Sequence, residues 1–188
     1  MDTKKYFHFK EFCNLDSSPD AEFLINSMDI MHSLGSIQSI KAQAIRLMQL
    51  QQGDVVLEVG CGHGEDAESM AQYVAPNGSV IAIDISQKML DGALNRSKLA
   101  NIEYLLMSAG DIRFPNNTFS ACHADRLFVS SMDYMGYLDE MIRVTKPGGA
   151  ICITDVDALS IVIHPYNKIT KMIIDQIHQS FINPHMGR

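Results

Sequence analysis

Val55-Val56-Leu57-Glu58-Val59-Gly60-Cys61-Gly62-His63-Gly64-Glu65-Asp66 is the stretch of sequence that decides the fold. Residues 55–59 are apolar apart from one glutamate and are rich in β-branched side chains, which predicts a buried parallel strand. Glycines then stand at alternate positions, where they allow the backbone to turn sharply and to approach a ligand closely. Apolar residues recur at helical spacing from 67 to 74, until Pro76-Asn77-Gly78 ends the helix. A strand, a glycine-rich loop and a helix in this order predict a nucleotide-type site, because the loop N–H groups and the helix N-terminus face the ligand.

The glycine spacing distinguishes between kinds of nucleotide site. A dinucleotide fingerprint has glycine at its first, third and sixth positions, but the sixth position counted from Gly60 is Glu65. Glu65, Asp66 and Glu68 also crowd the start of the helix, where they suit the helix dipole but would repel a pyrophosphate. No Gly-Lys-Ser or Gly-Lys-Thr follows, which excludes a P-loop. A nicotinamide oxidoreductase is therefore disfavoured.

Two segments resemble a known family. The segment Glu58-Val59-Gly60-Cys61-Gly62-His63-Gly64 resembles motif I of the class I S-adenosylmethionine-dependent methyltransferases, in which an acidic residue is followed, after one position, by Gly-x-Gly-x-Gly. The segment Glu140-Met141-Ile142-Arg143-Val144-Thr145-Lys146-Pro147-Gly148-Gly149 is similar to one common in small-molecule methyltransferases of this class. The resemblance covers residues 36–188. It implies an α/β fold with a Rossmann-like, mostly parallel sheet and helices on both faces, S-adenosyl-L-methionine as cofactor, and a small-molecule methyl acceptor.

Motif I supplies the first group of expected cofactor-binding residues. The resemblance implies that Gly60, Gly62 and Gly64 allow close backbone contact with the cofactor. Cys61 lies between them, where a small residue is needed for packing. Glu58 is expected to form the floor of the site.

The second strand, residues 79–84, ends in a carboxylate, Asp84, 20 residues beyond Gly64. Rossmann-type sites place an acidic residue at this point to bind the ribose hydroxyls. The alternative is that Asp84 only terminates the strand. Ile85 follows directly and belongs to the same expected site, and Ser86 is predicted to cap the next helix.

The third and fourth strands lead to the remaining expected cofactor-binding residues. In the resembled family a Gly-Asp pair after the third strand binds the adenine, which implies that Asp111 contacts its amino group and Ile112 its ring. An ordinary Asx turn is the alternative at this pair. After the fourth strand, Asp125 and Arg126 are expected near the methionine end of the cofactor.

The rest of the chain alternates between helices and strands, which predicts a parallel sheet with its ligand at the carboxyl ends of the strands. The predicted helices cover 20–33, 36–51 and 133–146. The third, fourth and fifth predicted strands cover 102–107, 119–125 and 150–155. In the resembled family two more strands complete the sheet, and we expect them to be missing here. Strand 150–155 is then an exposed edge, which predicts a homodimer through that edge or a marginally stable monomer.

Length and composition predict one globular unit with a sizeable core, because 46% of the 188 residues are hydrophobic and 20% are charged. Residues 1–35 are expected to form a helical segment that closes as a lid over a cofactor-binding core, residues 36–188. Four methionines, Met28, Met31, Met132 and Met135, are candidates for an adaptable apolar acceptor pocket, with core filling as the alternative.

Charge and cysteine usage limit the kinds of molecule that the chain is expected to bind and the compartment in which it is expected to lie. The net charge of −7 and the lack of a basic run argue against nucleic acid and against an anionic membrane surface. The Asp/Asn-Pro-Pro-Tyr signature of amino methyltransferases that act on nucleic acids is replaced by Asp125-Arg126-Leu127-Phe128. The four cysteines have no CxxC spacing, which predicts neither a zinc site nor disulfides and favours a cytoplasmic protein. No apolar stretch is long enough to span a bilayer.

The expected reaction is in-line transfer of the sulfonium methyl group, for which positioning and water exclusion supply most of the acceleration. No catalytic residue is assigned from sequence. The weak candidates for a proton acceptor are His63, His123, Tyr134 and His164. His123 and Asp125 share a strand face but lack a third ligand, so no metal is predicted. The alternative function is a non-catalytic module or partner subunit that binds S-adenosylmethionine or S-adenosylhomocysteine.

Overall fold

The computed structural model describes residues 9–157, 160 and 162–180. The helices are α1 Ala21–Ser33, α2 Gly35–Leu47, α3 Glu65–Val74, α4 Gln87–Arg96, α5 Tyr134–Val144 and α6 Lys168–Ser180. The strands are β1 Val55–Val59, β2 Ser79–Asp84, β3 Ile102–Leu106, β4 Phe119–Asp125 and β5 Thr145–Thr154. A 3-10 segment, Phe9–Ser17, precedes α1, and the two together are called the roof below. Residues 1–8 of the expected lid and residues 181–188 of the expected core lie outside the described residues.

The five strands form one sheet in the order β3-β2-β1-β4-β5, and every neighbouring pair is parallel. Strand β1 lies in the centre, and its register places Glu58 beside His123 of β4 and Val59 beside Ile83 of β2. The prediction of a Rossmann-like, parallel α/β sheet is confirmed. The carboxyl ends of β1, β2 and β4 therefore meet at one edge of the sheet, where the glycine loop begins.

Helices cover both faces of the sheet because both faces of its strands are apolar. The core residues on the face toward α2, α3 and α4 include Ile45, Met48, Val56, Met70, Val74, Val80 and Leu90. Those on the face toward α5 include Leu57, Val59, Ile83, Cys122, Met141 and Val144. The roof packs on α4 through a third cluster, in which Leu15 and Leu24 surround Met89.

Several predicted boundaries differ from the structure. Helix α2 ends at Leu47 rather than at 51, and Gln49 adopts a positive φ of +52° shortly after it. Helix α2 begins at Gly35 rather than at 36, and a single extended residue, Leu34, separates it from α1. Strand β5 begins at Thr145, which pairs with Phe119, and its register shifts before the pairing of Ala150 with Ala121.

Residues 146–149, between the predicted helix 133–146 and the predicted strand 150–155, form this irregularity in β5, where Gly148 has a φ of +81°. Strand β5 is the last strand among the residues described, and its only neighbour there is β4. In the same part of the chain, every helix is too short or too polar to cross a membrane.

Candidate functional site

The glycine-rich loop joins β1 to α3 and turns because its glycines adopt positive φ values. These are +73° for Gly60, +52° for Gly62 and +84° for Gly64, a region that strains residues with a side chain. The Gly60 N–H group donates to the Ile83 carbonyl oxygen at 2.8 Å, which ties the loop to β2. A Cβ atom at position 64 would also collide with the Tyr104 ring. The sequence thus folds the loop close against the ends of β1 and β2.

Asp84 lies at the carboxyl end of β2, beside the loop. Its Oδ2 accepts a hydrogen bond from the Gly62 N–H group at 2.9 Å, and its Oδ1 accepts one from Ser86 N–H at 2.9 Å. Burial raises the pKa of Asp84, against the lowering effect of these backbone donors. The predicted cap is confirmed, since the Ser86 hydroxyl accepts from Met89 N–H at 3.2 Å. Two backbone donors therefore fix the carboxylate in place.

A cavity opens at this edge of the sheet, between the glycine loop and the roof. The expected cofactor-binding residues that line it are Gly60, Gly62, Asp84, Ile85, Asp125 and Arg126. From the roof, Phe12, Cys13, Leu15 and Met28 contribute to the lining. The lining residues that sequence reasoning did not assign to a site include Met89, Met107, Ala109, Ser130 and Tyr137. Most of these follow the ends of strands, and that position is the signal that could have found them.

The other expected cofactor-binding residues, Glu58, Cys61, Gly64, Asp111 and Ile112, do not line the cavity. The Asp111 side chain is 79% exposed, and its Oδ2 lies 4.0 Å from Arg113 Nε. Ile112 packs into the core toward α5, and its N–H group donates to Glu140 Oε2 at 2.8 Å. Because the turn after β3 buries Ile112, the neighbouring Asp111 points to solvent. The structure therefore does not bring this pair to the cavity.

Asp125 and Arg126 lie at the end of β4 and form part of a buried ionic cluster. Lys41 of α2, which sequence reasoning missed, pairs with Asp66 and with Asp125, whose Oδ2 is 2.8 Å from Lys41 Nζ. Arg126 adopts a positive φ of +53° and donates from Nε to Asp125 Oδ2 at 2.8 Å. Burial would raise the pKa of Asp125, but Lys41 and Arg126 lower it. The carboxylate is thus ionised and directs the Arg126 side chain at the edge of the cavity.

Glu58 and His123 form a buried pair beneath the loop, and each is 1% exposed. His123 Nδ1 lies 2.7 Å from Glu58 Oε2. Burial raises the pKa of Glu58 to about 7, against the opposing effect of His123. Burial would lower the pKa of His123, but the Glu58 carboxylate raises it to about 9. Glu58, Asp66 and His123 offer ligand atoms within 4.8 Å of one another, and the Lys41 ammonium on Asp66 already supplies a cation there.

The roof is fixed to the core on both sides of the cavity. On one side, the Asp16 carboxylate accepts hydrogen bonds from the Ser86 hydroxyl at 2.5 Å and from Gln87 N–H at 2.8 Å, at the N-terminus of α4. On the other side, Asp29 of α1 lies 3.1 Å from Nδ1 of His63 in the glycine loop. The structure therefore shows the cavity in a covered state.

Glu65, at the start of α3, connects the roof to the rest of the ionic cluster. It pairs with Arg96 of α4, and its Oε2 lies 3.3 Å from His32 Nδ1 of α1. On its other side, the His32 ring contacts Arg126 through Nε2. Burial would raise the pKa of Glu65, but His32 and Arg96 lower it to about 2. The four residues weighed as proton acceptors, His63, His123, Tyr134 and His164, are not part of the cavity lining.

Comparison with known proteins extends these observations. The family model described as a methyltransferase domain matches residues 56–149. An uncharacterized methyltransferase of Schizosaccharomyces pombe is 32% identical over 154 residues, which are 76% of this chain and 55% of the relative. The demethylmenaquinone methyltransferase of Listeria welshimeri is 33% identical over 135 residues, 69% of this chain and 57% of the relative. The chain thus spans a little over half the length of these curated relatives.

A solved structure shares the fold. Phosphoethanolamine N-methyltransferase 2 of Haemonchus contortus, in complex with phosphomonomethylethanolamine and S-adenosylhomocysteine, matches with a TM-score of 0.69 and 21% identity, over 92% of this chain and 40% of that chain. The segment matched by the family model covers half of the sequence and contains the glycine loop, Asp84 and the Asp125-Arg126 pair. From this match and from the parallel sheet with its cavity above the loop, it follows that the chain belongs to the class I S-adenosylmethionine-dependent methyltransferases.

Proposed function

We propose that this chain binds S-adenosyl-L-methionine in the cavity and transfers its methyl group to a small-molecule acceptor. The observation that carries the proposal is the Asp84 carboxylate, which two backbone N–H groups hold beside the glycine loop in the cavity lining. A carboxylate in this position accepts hydrogen bonds from the ribose hydroxyls of a nucleoside. The net charge of −7 supports a small acceptor over a nucleic acid.

Different lining residues would contact different parts of the proposed cofactor. Gly60 and Gly62 leave room for close backbone approach, and Asp84 binds the ribose. Ile85 and the apolar residues after β3 offer a surface for the adenine, and Arg126 faces the methionine carboxylate. Asp111 and Ile112 stay predicted adenine contacts, although their side chains lie off the cavity.

The reaction would proceed by in-line attack of an acceptor lone pair on the sulfonium methyl carbon. The bond from sulfur to methyl carbon breaks, and the sulfur retains its electron pair in S-adenosylhomocysteine. An acceptor N–H or O–H group would lose its proton to solvent. Positioning and exclusion of water by the roof would supply the acceleration.

The names of two similar proteins support a small acceptor, because one refers to demethylmenaquinone and the other structure contains phosphomonomethylethanolamine. In this chain the roof contributes Phe12, Leu15 and Met28 to the lining. We therefore favour an acceptor with an apolar body that packs against these side chains.

Calorimetry with S-adenosylhomocysteine is the first test, with NAD as the control ligand. We expect binding to the purified chain and none of NAD. Asp84→Asn should weaken binding about 10- to 100-fold, because a hydrogen bond to a charged group contributes about 1.5–3 kcal/mol. Glu103→Gln is the matched variant, since it makes the same change in an exposed carboxylate of β3 that lies off the cavity, and we expect it to bind like the wild type. A loss of affinity in Asp111→Asn would support the adenine prediction, and no binding to the folded wild type would overturn the proposal.

A second candidate function is a non-catalytic module that binds the cofactor. The observation in its favour is that none of the four residues weighed as proton acceptors lines the cavity. Turnover separates the two functions. Formation of S-adenosylhomocysteine in the presence of small nucleophiles supports the enzyme, whereas tight binding without turnover supports the module.

Three further features belong to this proposal. Residues 1–35 would act as the lid and residues 36–188 as the cofactor-binding core. The chain would act in the cytoplasm, and two copies would pair through the β5 edge. The cysteine usage described above is the reason for the cytoplasmic location. The side of β5 that no strand covers among the described residues is the reason for the dimer.

A further inference from the structure

Arg96 is the last residue of α4, and its guanidinium group meets three other elements of the fold. Its Nη2 lies 3.3 Å from Asp29 Oδ1 of α1, in the roof, and 3.4 Å from His63 Nδ1 of the glycine loop. Its Nη1 donates to Glu65 Oε1 at the start of α3. A guanidinium group carries five N–H donors in a rigid fork, so one arginine can serve several partners at once. Arg96 thus joins the roof, the loop and α3 to α4.

The same face of α4 also receives the ring of His63. A Cβ atom at Gly92 would lie 2.7 Å from both Cδ2 and Nε2 of this ring, so the ring packs against bare backbone. Gly92 and Arg96 are four residues apart and therefore share one helix face, which is called the platform below. Glycine inside a helix is unfavourable relative to alanine, and here its missing side chain makes room for the imidazole.

The platform lies outside the cavity but contacts both of its sides. His63 directly follows Gly62, whose N–H group donates to the Asp84 carboxylate at 2.9 Å. Gly62 and Asp84 line the cavity on the side of the sheet. On the side of the roof, Met28 lines the cavity and directly precedes Asp29. The two residues that reach the platform, His63 and Asp29, are therefore each one position away from the lining.

We propose that Arg96 is a positioning residue for cofactor binding, which fixes the glycine loop and the roof in one arrangement with the cavity between them. This inference rests on the proposed function and adds to it a residue outside the cavity on which the affinity depends. Because one guanidinium group serves both partners, the loop and the roof hold their positions together. Loss of the contact on either side weakens cofactor binding.

The exposure of these side chains sets the size of the expected effect. Those of Arg96 and Asp29 are 40% and 39% exposed, and that of His63 is 10% exposed. Charge pairs that reach solvent contribute modestly, because water screens them. We therefore expect changes of about fivefold in affinity rather than a complete loss of binding.

The first test is the dissociation constant of S-adenosylhomocysteine for Arg96→Met, Asp29→Ala and the variant with both changes. Methionine keeps the helix propensity of arginine and removes its charge. Each single variant should bind about fivefold more weakly than the wild type. The double variant should stay well short of the loss of about 25-fold that independent contacts would give, because both changes break one link. Arg46→Met is the control, since Arg46 lies in the last turn of α2, and it should bind like the wild type.

Gly92→Ala tests the platform without a change of charge. The added methyl group takes the space of the His63 ring, so binding should weaken about fivefold although alanine favours the helix. Weaker binding with an unchanged or higher melting temperature separates positioning of the loop from a general loss of stability. Gly35→Ala is the matched control, because a Cβ atom there meets nothing within 4 Å. It should bind like the wild type.

The outcomes separate this inference from the proposed function. Wild-type affinity in Arg96→Met or in Gly92→Ala overturns the inference and leaves the proposed function intact. A loss of about 25-fold in the double variant does the same, because the two contacts would then act independently. A wild type that binds no S-adenosylhomocysteine overturns the proposed function and this inference with it.

Discussion

The Glu58–His123 pair is the residue-level feature from which we expect a pH-dependent stability. Folding raises the pKa of His123 from 6.5 to about 9, so the folded protein binds this proton more tightly than the unfolded chain. Glu58 acts with the same sign at lower pH, because burial raises its pKa from 4.5 to about 7. The His123 proton stabilises the fold fully below pH 6.5, and this stabilisation is lost as the pH rises through about 9. The loss should reach at most about 3 kcal/mol in the free energy of unfolding.

Urea unfolding between pH 6 and pH 9.5 measures this effect. Glu58→Gln removes the charge that raises the pKa of His123, so its free energy of unfolding should vary much less over this range. Glu140→Gln is the control, because Arg143 lowers the pKa of Glu140 and this carboxylate does not titrate there. An unchanged pH dependence in Glu58→Gln would contradict the assignment.

At the same scale, the glycine loop and the end of β2 could be predicted from the sequence, but the ionic cluster around Lys41 could not. The glycine loop and Asp84 were predictable because turn chemistry and strand ends depend on nearby residues. Lys41 was not predictable, although it lies at helical spacing from the buried Ala44 and Ile45. A lysine on the inner face of a helix only interrupts its apolar pattern. Its partner, Asp125, belongs to a strand that is distant in the sequence.

At the scale of elements, the hold of the roof on α4 should affect cofactor dissociation. The Asp16 carboxylate accepts from Ser86 Oγ, Gln87 N–H and Lys88 N–H at the N-terminus of this helix. Burial would raise the pKa of Asp16, but together these donors lower it. Asp16→Ala removes the contact and should speed the release of S-adenosylhomocysteine about fivefold, as loss of a capping interaction of about 1 kcal/mol predicts.

Stopped-flow dissociation measures this rate. Glu11→Ala is the matched variant, since Glu11 belongs to the same 3-10 segment and accepts from Ser18 within the roof. Its release rate should equal that of the wild type. Equal rates in Asp16→Ala and wild type would mean that the segment Phe9–Ser17 does not control release.

Strands β1, β2 and β4 match their predicted ranges at both ends, although β5 begins five residues before its predicted start at 150. Strand β4, Phe119–Asp125, is preceded by the turn residues Asn116 and Asn117 and is buried along most of its length. Helix α2 was predicted too long at its C-terminus, where Met48 still packs in the core although it lies beyond the last helical residue. Burial and helical structure end at different residues here, and hydrophobic periodicity reports only burial.

At the scale of the whole molecule, the β5 edge should decide the oligomeric state. Strand β5 pairs with β4, and among residues 9–157, 160 and 162–180 no strand covers its other side. Ile153 on this strand is 41% exposed. We expect sedimentation velocity to show a dimer of the wild type and a monomer of Ile153→Lys, because charged side chains on an edge strand oppose pairing.

Ile142→Lys is the control for this change. Ile142 lies on α5, away from the edge, and is 54% exposed. The same lysine there should leave the dimer intact. A wild type that sediments as a monomer would refute pairing through β5.

The position of the roof over the cavity has a consequence for the step that limits the rate of the reaction cycle. With the proposed function, fresh cofactor and spent product would both pass the roof, so binding of one and release of the other would share one barrier. When opening is slower than methyl transfer, most molecules in the steady state hold the spent product and wait to exchange it. The first turnover would then be fast and each later one slow. The steady-state rate would depend more on the cell's ratio of fresh to spent cofactor than on the supply of acceptor.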